Sequence, residues 1–191
     1  MEIEIKLSNK DEIQSLFDKC PEDATLAAKK ALTKTAKTAK KTAISSTTKI
    51  YTAKRKTISG SLYVRRSYND LISLIFAGPP LKMKDFSLRP NKPGKRPAEG
   101  LFLKVKRDGG GRLSKHFMAK MTSGHVGAFV RVDPDTKEKT SRLPISEGYG
   151  PSPPSMVKNP ETLSNVEKES VKTFEEIFLR EFDKRLARWS G

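Results

Sequence analysis

The chain has 191 residues, with 38 Lys plus Arg against 22 Asp plus Glu, a formal net charge of +16. Apolar residues make up 35%; with glycine counted and tyrosine not, the share is about 39%, below the roughly 45–50% of a typical domain, so a single modest core with long extended or interface-forming parts is expected. One cysteine, Cys20, excludes an intrachain disulfide framework, two histidines, His116 and His125, are too few for most histidine metal sites, and no apolar run is long enough to span a bilayer.

Met1–Leu7 alternates as a strand does, with Ile3, Ile5 and Leu7 on one face and no signal-peptide core, which points to a cytosolic, reducing origin. Ser8 is a candidate N-cap for a short helix carrying Ile13, Leu16 and Phe17 and ending near Cys20-Pro21. A longer helix follows from Pro21 to about Ser46, with Glu22 and Asp23 in its first turn and a buried face of Ala24, Ala27, Ala28, Ala31, Leu32, Thr35, Ala39 and Ala43. Its other face carries Lys29, Lys30, Lys34, Lys37, Lys40 and Lys41. A short helical turn is expected within Tyr51–Ser61, then two strands, Leu62–Tyr68 and Leu71–Phe76, around an Asn69-Asp70 turn. Leu81–Phe86 alternates as an exposed or edge strand.

Residues 87–99 form a basic, proline-rich loop, and Asp108–Gly111 a turn or mobile tip; both are expected to protrude as arms, near 87–99 and 108–112. Further strands are expected at Leu101–Lys106, Leu113–Met118, His125–Val132 and Lys139–Leu143, the last two joined by a turn at Asp133–Thr136. Pro144–Pro160 is a second Pro/Gly segment. A helix from about Glu161 to Arg188 closes the chain, with Val171, Phe174, Phe178, Phe182 and Leu186 at steps of three and four and Ile177 and Trp189 beside them, so it needs an apolar partner surface, the sheet or another subunit. Helices, then antiparallel strands, then a helix define an α+β class, read as one domain over 1–191 with an N-terminal extension at 1–22.

The charge is uneven. Ala24–Asn69 holds twelve Lys or Arg and no acid, and Lys82–Arg131 holds thirteen against three acids, whereas Glu161–Gly191 is nearly balanced. Such blocks indicate contact with a polyanion, contact with an acidic protein, or a solvated face. The candidate contacts are Lys30, Lys34, Lys37, Lys41, Arg89, Lys95 and Arg96. No catalytic, metal or cofactor constellation is recognisable: Gly109–Ser114 lacks the lysine of a phosphate-binding loop, and His116 and His125 have no neighbouring cysteine or paired carboxylates. Glu175 and Glu176 fall on the outer face of the last helix.

Arg142, Leu143, Pro144 and Ile145, then Gly150-Pro151-Ser152, then Met156 ahead of the last helix resemble the minor tail protein Z family of tailed phages, the tail completion proteins. The order of a basic Ala-rich helix, a Tyr51–Arg55 segment, a strand pair ending near Gly78 and a short strand ending at Phe86 is similar too, over about residues 25–186. The insertion at 87–99 and the density of lysine on the long helix depart from the pattern. The resemblance implies a non-enzymatic virion protein of the tail or neck, made in the host cytoplasm. It would complete a long non-contractile tail, join it to the connector and assemble as a ring such as a hexamer. Its partners would be other tail and connector proteins, with transient passage of DNA and no membrane. Arg142, Pro144, Gly150, Pro151, Ser152, Met156, Phe178 and Phe182 are then candidate subunit-interface residues. The alternative is a basic nucleic-acid-binding protein, weakened by how few aromatic residues interleave the lysines. A nuclease would need a carboxylate cluster that the middle of the chain lacks.

Overall fold

A computed structural model describes residues 10–66, 72–95, 97–132 and 144–188. In chain order the elements are α1 (Lys10–Lys19), α2 (Pro21–Ile50), α3 (Arg55–Gly60), β1 (Leu62–Arg66), β2 (Ile72–Phe76), β3 (Ser87–Arg89), β4 (Leu101–Lys104), β5 (Gly111–Leu113), β6 (His116–Lys120), β7 (Val126–Arg131), β8 (Ile145–Glu147), α4 (Pro153–Val157) and α5 (Pro160–Leu186). The fold is α+β. Two compact units alternate along the chain: Met1–Ser46, Leu62–Ala77 and Val157–Gly191 form one, Thr47–Ser61 and Gly78–Met156 the other. The expected strand at 1–7 and the Ser8 cap lie outside the described residues.

In the first unit, α1, α2 and α5 enclose a core of Ile13, Ala24, Ala27, Ala31, Phe174, Phe178 and Phe182. Leu16, Phe17 and Cys20 pack on it, so the thiol is a half-buried helix-end group. Alanines on α2 leave room for the rings of α5. Phe17, Phe174 and Phe182 each stack on Phe178, with centroids 5.9, 5.9 and 6.1 Å away. Helix α2 continues four residues past its expected end. The hydroxyl run at its C-terminus is a weak helix former on propensity alone, but Ser45 Oγ donates to the Thr42 carbonyl at 3.2 Å, and Ser46 and Thr47 are buried. Helix α5 begins where Asn159 Oδ1 accepts from the Glu161 amide at 3.0 Å and Pro160 occupies the first turn.

The buried line on α5 differs from the expected stripe. Thr162, Val166, Ser170, Phe174, Phe178 and Phe182 are buried, every fourth residue, while Val171 is half-buried and Leu186 is 39% exposed. Steps of four overshoot a helical turn by about 40° each, so the line winds round the helix and leaves Leu186 at the surface. Strands β1 and β2 form the expected antiparallel pair, from Leu62↔Phe76 to Arg66↔Ile72; the turn between them lies outside the described residues.

The second unit holds two antiparallel three-stranded sheets, β3-β4-β5 and β6-β7-β8. Leu81–Phe86 is not a strand. Leu81 and Phe86 are both buried, and an odd separation would put them on opposite faces of a strand; a 3-10 turn at Met83–Asp85 brings both inward. The proline-rich segment begins inside the sheet, since Ser87–Arg89 pairs with β4 and Leu88 is buried. The strand expected at Leu113–Met118 is divided at Ser114-Lys115 between β5 and β6. The strand expected at Lys139–Leu143 and the turn at Asp133–Thr136 fall outside the described residues.

Replacing Phe178 by alanine is expected to cost about 3–5 kcal/mol, read as a lower urea midpoint at unchanged slope.

Candidate functional site

Of the residues that carry the resemblance, the described stretch 144–156 forms a tight bend. Strand β8 follows Pro144, whose carbonyl accepts from the Val132 amide at 3.0 Å, and pairs with β7. Residues 148–151 then run against 81–83. The Gly148 amide donates to the Ala128 carbonyl at 2.8 Å, the Met83 amide to the Gly148 carbonyl at 3.2 Å, and the Gly150 amide to the Leu81 carbonyl at 2.8 Å. Glycine is needed at 150 for space: a Cβ there would lie 2.6 Å from Phe86 Cε2, and Phe86 is buried. The Leu81 amide donates to the Pro151 carbonyl, and Ser152 opens α4 by accepting from the Ser155 amide on Oγ and the Met156 amide on its carbonyl. Met156 is wholly buried. Arg142 and Leu143 lie outside the described residues.

A charged cluster fastens this bend. Glu147, at the end of β8, has Oε2 3.1 Å from Lys82 Nζ and Oε1 2.8 Å from His125 Nε2. An ionised carboxylate only accepts, so Nε2 carries the proton and donates. Tyr149 donates its hydroxyl to Oε2 at 3.4 Å. Gly127 makes room for the carboxylate, since a Cβ there would lie 2.5 Å from Oε1. Burial by itself pushes the Glu147 carboxyl up; hydrogen bonds from His125 and Lys82, with the accompanying charge attraction, outweigh it and hold the pKa below the ordinary 4.5. The cluster ties the end of β8, the residue before β7 and the 81–83 segment together. It contains no nucleophile beside a base.

A second carboxylate sits in the helical unit. Glu181 is 5% exposed, with Oε2 2.7 Å from Lys30 Nζ and Oε1 3.2 Å from Lys34 Nζ. Hydrogen bonds from Lys30 and Lys34 lower its pKa from 4.5 to about 2, against the upward push of burial. Arg185 Nη1 and Asp23 Oδ1, 3.5 Å apart, join α5 to α2 as well. Two of the lysines expected to contact an external polyanion or acidic partner therefore hold an acid of their own chain. Lys37 and Lys41 are exposed, as are Arg89 and Lys95, while Arg96 lies outside the described residues. Phe178 and Phe182, expected at a subunit interface, are buried in the core of their own chain, and Met156 is closed inside too. Their apolar demand is met by α1 and α2 for the two rings, which removes them from any exposed surface.

The sequence reading missed an aromatic residue among the cations. Register places Arg89 opposite Phe102 and Phe102 opposite Arg112, so the three form one row across β3-β4-β5. Leu88, Leu101, Leu103 and Leu113 occupy the inner face, and Ser87, Arg89, Phe102, Lys104 and Arg112 the outer one. The signal was the alternation in Leu101–Lys104, which exposes Phe102 as it buries its neighbours.

Among the described residues, no group of three or more His, Cys, Asp or Glu could hold a metal ion, and no helix is long and apolar enough to cross a membrane. Comparison with protein-family models, curated proteins and solved structures finds no match.

Gly150→Ala is expected to lose about 1–3 kcal/mol through the clash with Phe86, measured by urea denaturation. Glu181 has a depressed pKa, so its contribution to stability is complete above 4.5 and is lost as pH falls from there to about 2. Glu181→Gln is therefore expected to be less stable than the parent at neutral pH, with the gap closing across that window in unfolding curves taken at successive pH values.

Proposed function

We propose that this chain is a structural protein of a long-tailed phage virion, which completes the tail, joins it to the head-side connector and assembles as a ring such as a hexamer. The observation that carries the reading is the stretch Pro144–Met156, where the residues similar to the tail completion family are also those under tight local constraint: Gly150 against Phe86, Ser152 opening α4, Met156 wholly buried. A bend fixed in this way lowers the ordering cost of docking against a neighbour. The protein acts without catalysis, in the virion tail or neck, after synthesis in the host cytoplasm.

Its partners are further copies of itself and acidic surfaces of tail and connector proteins, which the exposed Lys37 and Lys41 on α2 suit. A lumen-facing ring of such lysines would hold passing DNA through phosphate contacts, so this face is assigned to protein neighbours.

The test is light scattering of the purified protein, then electron microscopy after mixing with tail tubes that lack their terminal ring. Rings seated on tube ends are expected. A protein that stays monomeric and leaves the tube ends bare overturns the proposal.

A further inference from the structure

We infer that the outer face of the β3-β4-β5 sheet is a binding platform for single-stranded nucleic acid, with Phe102 as its stacking residue. Three observations meet there. Phe102 is a large apolar side chain left 37% exposed in the middle of a sheet face. Arg89 and Arg112 flank it in register, one strand away on either side, which sets their backbones roughly 10 Å apart with the ring between. Lys104 shares the face, and Lys92 and Lys95 follow from the exposed segment after β3.

The turn between β4 and β5 also lies beside the ring. A Cβ on Gly110 would lie 2.6 Å from Phe102 Cζ, so this turn runs close to one edge of the ring. A base can then stack on the exposed ring, and the arginines can take the phosphates on either side. Glu99 is paired with Arg112, but the two side chains are 65% and 57% exposed. An exposed pair of this kind contributes little and gives way to a phosphate. Charge selects a polyanion, and the central aromatic selects one whose bases are free to stack. Duplex bases are already stacked on each other, so a single strand fits the face better.

The test is fluorescence anisotropy with a labelled oligothymidylate and, in parallel, the dA·dT duplex of equal length, at several salt concentrations. The single strand is expected to bind more tightly than the duplex. Phe102→Ala should weaken single-strand binding at least about fivefold, while Phe102→Trp, which keeps a stacking face, retains it. The double variant R89Q/R112Q, altered only at exposed positions, should reduce the salt slope by about 1.4 for two lost phosphate contacts. Circular dichroism verifies that each variant is folded; if Phe102→Ala is not, the Trp variant and the arginine pair carry the test. Equal binding of duplex and single strand with no effect of Phe102→Ala overturns the inference, as does failure to bind either at low salt.

Discussion

Alanine on one helix and phenylalanine on another set the geometry of the helical unit. Ala24, Ala27 and Ala31 present nothing beyond a Cβ, so the three rings of α5 can seat against α2 and stack along their own helix. Burying each ring contributes on the order of 1.5–3 kcal/mol. The close approach has a second effect: it closes Glu181 from solvent. A buried carboxylate is costly unless paired, and each oxygen of Glu181 has a lysine from α2. The side chains of both lysines stay partly exposed to water, which limits their own desolvation. The apolar seam and the ionic contact thus specify the same pairing of α2 with α5.

Elements with local signals were legible in the sequence. Pro21 with Glu22 and Asp23 marks a helix start that the structure keeps, and the last helix, expected from about Glu161, begins at Pro160. The alternation around Asn69-Asp70 marks the β1–β2 pair. What escaped depends on contacts far apart in the chain. Lys30 and Glu181 are 151 positions apart, and nothing in the lysine pattern of α2 separates two that are engaged from others that stand exposed. Leu81–Phe86 alternates well enough for a strand, yet its backbone groups are taken by residues 148–151, which no local pattern announces. Phe102 is unremarkable in sequence because its two arginines come from other strands. The candidate site was legible as a motif around Gly150 but not as a geometry: His125 gave no sign of meeting Glu147.

The two units manage charge differently. In the helical unit, acids on α5 and at the start of α2 meet bases across the interface between those helices. In the sheet-containing unit, a half-buried cluster uses a single carboxylate between two nitrogen donors to fasten a bend, and the arginines and lysine of β3-β4-β5 face outward. A strongly basic chain can in this way keep an ordered interior while presenting cations where an external anion can reach them.

The alternation of the units along the chain bears on synthesis. Helix α2 leaves the ribosome well before α5, and the phenylalanines that complete its core with α1 arrive only with Phe174–Phe182. Thr47–Ser61 and Gly78–Met156 emerge in between and draw their contacts from residues already made. The sheet-containing unit can therefore close during translation, while the helical core must wait until Phe174–Phe182 has been made. Domains that form as units tend to fold in order of emergence, and long-range closure is slow, so the last helix acts as the step that commits the helical unit to its native state.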